Sequence, residues 1–190
     1  MTTGGETIPT STTHRLQISL DAKETLYTVI DACQAPDLIA FSRHELGQPT
    51  RMLFKGTVTS LPEVETFAPF FIPIDVSSSF LENWARYAGK NAGVLFASSA
   101  EPRVIFRHLR SIFVVKDESG QEHFFRFYDP RVARAFIPSC SAEEVAEFFG
   151  PIRTFWIDSE VPNVVERWSH FLGKPSSESI PMTPTLPTLI

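Results

Sequence analysis

Arg103, Arg107 and Arg110 recur at i, i+4 and i+7, the spacing that places side chains on one face of a helix. Guanidinium groups are planar, permanently charged and suited to bidentate pairing with carboxylates. The chemistry implied is recognition of an acidic protein surface; a solvated helix face is the alternative reading. Arg131 and Arg134 fall in a later short helical stretch and carry the same two readings. Between these groups lies the densest motif in the chain, Phe125-Arg-Phe-Tyr-Asp-Pro-Arg131. Asp129 is a good helix N-cap, Pro130 suits the first helical position, and the Asp129 carboxylate can pair with Arg126 or Arg131. The motif therefore reads first as a charged strand-to-helix turn. Arg126 joins the other five arginines as a candidate partner-binding residue.

Nucleophilic and metal chemistry find less support. Cys140 sits in Pro-Ser-Cys-Ser between two expected helices, and it would act as a nucleophile only if the fold brought a histidine to it. Cys33 ends an expected buried strand and reads as inert core. His14, His44, His108, His123 and His170 show no i, i+3 or i, i+4 pairing of the kind that holds zinc. No glycine-rich phosphate loop, GxSxG elbow or HExxH helix occurs. No catalytic residue, cofactor or metal is assigned.

Composition narrows the class. The chain has 190 residues, 43% apolar and 21% charged, which suits one globular domain. Its net charge of −5 and pI near 5.5 argue against a nucleic-acid binder, which usually carries a basic excess. Phenylalanine is abundant at 17 copies, more than a core of this size must hold, so part of the surplus could face a partner. No run approaches the ~18 apolar residues of a membrane span. The first residues lack the basic and apolar regions of a signal peptide, and the two cysteines suit a reducing cytoplasm.

The elements that must position these groups alternate between strand and helix. Leu26–Asp31 reads as a buried strand, followed by a helix opened by Pro36 and stopped at Gly47. Phe67–Asp75 holds two prolines and reads as an edge strand or extended segment. Ser79 and Glu82 have capping-box spacing ahead of Leu81, Trp84, Ala85 and Ala88, with Gly89 as the stop. Gly93–Ala97 is a strand, and Ser99 with Pro102 opens a helix whose stripe is Ile105, His108 and Leu109. Ile112–Lys116 and Glu122–Tyr128 form a hairpin, with Phe125 and Phe127 on one face and Phe124, Arg126 and Tyr128 on the other. Ser141 and Glu144 make a second capping box before Val145, Phe148 and Phe149, and Gly150-Pro151 ends that helix. Thr154–Asp158 is a last strand and Val164–Phe171 a final helix. The expectation is an α/β fold: a mixed, partly antiparallel sheet with flanking helices, forming a single domain over 21–172. Residues 1–20 are expected to be a flexible arm and 173–190 a flexible Pro-rich tail with a capacity to dock a partner.

Several of these pieces, in this order, carry a resemblance. They are Leu26–Asp31, Leu53–Thr57, Ala68–Phe71, Gly93–Phe96, Arg107–Val115, Phe125–Val132, Arg134–Pro138 and Phe148–Ile152. Together they resemble the effector chaperone or adaptor family of type VI secretion, long catalogued as a domain of unknown function. The resemblance spans about Leu26 to Asp158 and is most specific at Phe125–Val132, with Phe127, Tyr128, Asp129 and Pro130, and at Phe148-Phe149-Gly150-Pro151. It implies a monomeric, non-enzymatic cytoplasmic protein that binds a cognate effector and helps load it onto the valine-glycine-repeat (VgrG) spike. It implies no cofactor, nucleic acid or membrane. Ala92 and the Pro-rich stretch after Gly173 depart from the family pattern. Two other readings stay open: a small enzyme using Cys140, and an immunity protein that blocks a toxin.

Overall fold

The computed structural model describes residues 13–54, 59–76 and 79–185. Its strands are β1 (Thr13–Arg15), β2 (Thr25–Asp31), β3 (Arg51–Met52), β4 (Pro69–Ile74), β5 (Gly93–Ser98), β6 (Val114–Lys116), β7 (Glu122–Phe124), β8 (Thr154–Asp158), β9 (Val164–Phe171), β10 (Lys174–Pro181) and β11 (Thr183–Thr185). Its helices are α1 (Pro36–His44), α2 (Phe80–Ala85), α3 (Pro102–Ile112), α4 (Pro130–Phe136) and α5 (Ala142–Phe149). Seven strands form one sheet in the order β10-β9-β8-β5-β2-β4-β3, and every neighbouring pair is antiparallel. The α/β expectation of a sheet with flanking helices holds.

The central strands are largely apolar, with polar residues mainly at their ends, because both sheet faces are covered. Tyr27, Val29, Phe71, Val94, Phe96, Phe155 and Ile157 point to one face, where they pack with residues of α3, α4 and α5. Leu26, Ile30, Phe70, Ile72, Leu95 and Trp156 point to the other, against α1 and α2. Thr28 is buried among them and satisfies its hydroxyl by donating to the Val94 carbonyl at 2.9 Å. Gly93 is required by close approach: a Cβ there would lie 2.1 Å from the Val29 carbonyl oxygen.

The local signals at the far end of α3 read true. Ser141 and Glu144 form a reciprocal capping box at the start of α5. Asp129 caps α4 by accepting from the Arg131 amide, with Pro130 at the first helical position. Gly150 ends α5 at φ 49°, and a Cβ there would lie 2.5 Å from the His108 ring. That close contact lets the His108 Nε2 donate to the Phe148 carbonyl at 3.0 Å. Burial pushes His108 below the usual imidazole pKa, so the ring is neutral at pH 7.

Other expectations are corrected. Val164–Phe171 is not a helix but strand β9, paired with β8 and β10. Part of the supposed flexible tail, Lys174–Pro181, is β10, hydrogen-bonded along its length to β9. Pro175 and Pro181 are tolerated there because β10 is an edge strand and its outer side needs no donor. Part of the supposed N-terminal arm is β1, which pairs with β11, and Leu16 beyond it is buried. Residues 1–12 and 186–190 lie outside the described residues.

Three smaller corrections concern local chemistry. Ser79 has φ −73° and ψ 10°, and its side chain makes no cap, so the first capping box is not formed. The long second hairpin strand stops at Phe124, and β6 and β7 form a separate two-stranded sheet. Cys33 is exposed in the turn after β2 rather than held in the core.

Candidate functional site

The sequence pattern on α3 produces a cleft. Ile105, Phe106, Leu109 and Ile112 are buried, so the opposite side of the helix is left to Arg103, Arg107 and Arg110. These three arginines, with Arg51, Phe106 and Ser111, line an open cleft of about 840 Å³. Arg51 comes from β3, the edge strand paired to β4 through Phe71. Its guanidinium lies 3.8 Å from the centroid of the Phe106 ring, and that of Arg110 lies 5.5 Å from it. Such contacts hold a guanidinium in place without neutralising it.

None of these four arginines forms an ion pair with an acidic side chain among the described residues. The Arg110 Nε is buried and has no hydrogen-bond acceptor among the described residues. The side of α3 marked by arginine spacing is therefore a concave surface whose guanidiniums have no carboxylate partner among the described residues.

The other three candidate arginines are placed differently. Arg126 Nη2 donates to Asp31 Oδ2 at 2.8 Å and lies 3.6 Å from Asp129 Oδ2. Arg131 grips Asp129 with two side-chain bonds, Nε at 2.9 Å and Nη2 at 2.7 Å. Burial raises the Asp129 pKa, but the Arg131 hydrogen bonds and the charges of Arg131 and Arg126 outweigh it and hold the carboxyl below its usual range. Arg134 donates to the Asp158 carbonyl and lies 3.7 Å from Glu160. These three charges are committed within the chain and fix how α4 meets the sheet. Tyr128, with the Arg126 guanidinium 5.8 Å from its ring, is pushed up to about 12 by burial and by the Asp31 charge.

The two aromatic motifs meet behind the cleft. Phe148 contacts Phe125 at 6.3 Å, Phe127 at 6.5 Å, Phe136 at 5.5 Å and Phe155 at 5.2 Å between ring centroids. Phe149 packs on Phe155 at 5.2 Å, and the Pro151 carbonyl accepts from Ser98 at 2.6 Å. Phe127 and Phe149 are fully buried. The motif residues thus build the core that seats α3, α4 and α5, and much of the phenylalanine surplus is used there.

Cys140 is half-buried, and its thiol lies 3.3 Å from the Phe136 carbonyl. Burial first, and Glu144 second, push its pKa up. An activated thiolate needs the opposite shift. Among the described residues no three His, Cys, Asp or Glu side chains gather as a metal-binding set, and no helix is long and apolar enough to cross a membrane.

Sequence reasoning found three of the four cleft arginines and missed Arg51. A two-residue strand gives no periodic signal, and Arg51 reaches Phe106 only through the pairing of β3 with β4. Asp31 and Asp158 were also missed as buried acids, because their partners lie far away in the chain.

The description "Domain of unknown function (DUF4123)" belongs to the family whose model matches residues 26–147, more than half of the chain. No curated protein and no solved structure matches it. The match runs from β2, through the arginine-bearing α3 and the Asp129 cap, into α5, and the chain belongs to the DUF4123 family.

Proposed function

We propose that the chain is a cytoplasmic adaptor that holds a cognate type VI secretion effector and helps load it onto the VgrG spike. The observation that carries this reading is the cleft of Arg51, Arg103, Arg107 and Arg110, four cations without carboxylate partners among the described residues, in a chain of net charge −5. Electrostatic complementarity of that kind sets partner choice and speeds association. The resemblance at Phe125–Val132 and Phe148–Ile152 supplies the secretion context, and the burial of Phe127, Tyr128, Asp129, Phe148, Phe149 and Ile152 makes those side chains scaffold rather than contact surface. The free chain is a monomer, and effector binding buries roughly 1,200–2,000 Å² in total.

Deletion of the gene in its host tests the reading. One effector disappears from the secreted fraction while the tube and spike proteins are still exported, and the purified chain forms a stable complex with that effector. Unchanged export of every effector would remove the adaptor reading.

A further inference from the structure

The arginine cleft continues into a second compartment of about 390 Å³. Pro49, Phe71, Pro73 and Pro102 line it with Glu101, and Arg51 and Arg103 belong to both compartments. A four-guanidinium channel therefore opens onto an apolar recess built largely from proline and phenylalanine. Proline rings are rigid, so such a recess loses little entropy when it is filled.

We propose that this joined groove binds a linear acidic segment of a protein partner, with an aliphatic or proline side chain next to the acidic run. That the partner is the effector rests on the adaptor reading; the chemistry of the segment rests on the groove. Arg103 and Arg110 are seven residues apart on one helix, which spans about 10 Å. An extended peptide rises about 3.3 Å per residue, so about three acidic residues cover the arginine row. The next residue then reaches the border formed by Arg51 and Arg103, beyond which the walls are proline and phenylalanine and the single carboxylate is Glu101, so the segment's residue there is uncharged. Arg110 lines the cleft, and its Nε, buried without an acceptor among the described residues, is satisfied by a carboxylate only when the side chain turns toward the cleft. Arg51, held 3.8 Å above Phe106, is already oriented for such a contact. Nucleic acid fits less well: the chain carries −5 overall, and the proline-lined recess offers no exposed flat ring for a base to stack on.

Fluorescence anisotropy with the full chain and labelled peptides tests the proposal. The probes are Asp-Glu-Asp-Leu-Pro, the reversed order, the amide version Asn-Gln-Asn-Leu-Pro and the polar version Asp-Glu-Asp-Ser-Ser. The expected result is micromolar binding of at least one acidic–apolar order. That peptide weakens about tenfold or more on amide replacement, as loss of several charge-assisted bonds requires, and several-fold on serine replacement. Binding falls as salt rises, and it is lost in R103E/R107E. Both positions are exposed, and R103Q/R107Q repeats the test if the charge reversal disturbs folding as judged by circular dichroism. The proposal is overturned if neither order binds, if the amide peptide binds equally well, or if an oligothymidine competes at the same concentration as the peptide. Effector capture measured alongside separates the two readings. Effector capture by a wild-type chain that binds neither peptide order sinks the groove and leaves the adaptor; peptide binding without effector capture by the wild-type chain sinks the adaptor and leaves the groove.

Discussion

The Arg126 guanidinium donates to the Asp31 carboxylate at 2.8 Å across 95 positions of sequence. Asp31 ends β2 with its side chain 3% exposed, whereas that of Arg126 is 45% exposed. The carboxylate also accepts from the Cys33 amide at 2.9 Å, so it holds the turn after β2 as well.

Removing the cation leaves a buried charge uncompensated. Such losses cost about 3–5 kcal/mol when both partners are buried. Here the solvent contact of Arg126 and the nearby Arg131 reduce the cost, so Arg126→Met should destabilise the fold by about 1–2 kcal/mol in urea denaturation. The double variant with Asp31→Asn should recover part of that loss. A recovery of zero would mean that the pair does not couple.

Asp158 makes the opposite kind of electrostatic contribution. Burial raises its pKa to about 6, against the partly compensating Gly89 and Asn91 amides and the Arg134 charge. A carboxyl whose folded pKa lies above its unfolded value binds more protons when folded. Its contribution to stability is therefore full below the unfolded pKa near 3.8 and is lost as pH rises toward 6. Asp158→Asn removes that dependence. The variant should gain on the wild type by on the order of 2 kcal/mol between pH 4 and pH 7, read as a difference in denaturation midpoints. Parallel pH profiles would show that Asp158 does not titrate in this window.

Gly93 cannot accept a side chain without moving a central strand. Alanine at this position would place its Cβ 2.1 Å from the Val29 carbonyl, at the junction of β2 and β5. Gly93→Ala should lower stability by about 3 kcal/mol or more, within the range of severe core changes. Thermal denaturation checks this, and a shift of less than a few degrees would contradict the packing described for these two strands.

Neither cysteine should behave as an activated thiol. Burial leads in raising both, with Asp31 adding to the effect at Cys33 and Glu144 at Cys140. Labelling by an aromatic disulfide at pH 7 should be slow at both positions, and faster at the exposed Cys33 than at Cys140. Rapid, selective labelling of Cys140 would revive an enzymatic reading of that residue.

Local chemistry was legible where partners are close in sequence. The Asp129–Pro130 start and the Ser141–Glu144 box each close within four residues, so residue type and spacing suffice. The α3 arginine row was legible for the same reason. Val164–Phe171 misled because Val165 and Trp168, three apart, are both buried. In a strand covered on both sides, they belong to opposite core clusters and imitate a helical period. The Ser79 box failed because the backbone at Ser79 is not extended, so correct spacing met the wrong geometry. Arg51 and Asp31 acquire their roles from pairings dozens of residues away, which no local pattern records.

The strand order has a consequence for synthesis on the ribosome. By Ser98, the emerging chain holds β2, β3, β4 and β5, a four-stranded half-sheet. Its free edge is β5, whose true neighbour β8 begins only at Thr154, roughly 55 residues later. At about 5–20 residues per second, that edge waits on the order of several seconds for its partner. That edge is apolar, with Val94, Leu95, Phe96 and Ala97 in a row. Helices α3, α4 and α5 emerge during this interval and cover one apolar face of the half-sheet, while the hydrogen-bonding edge of β5 stays open until β8 pairs with it.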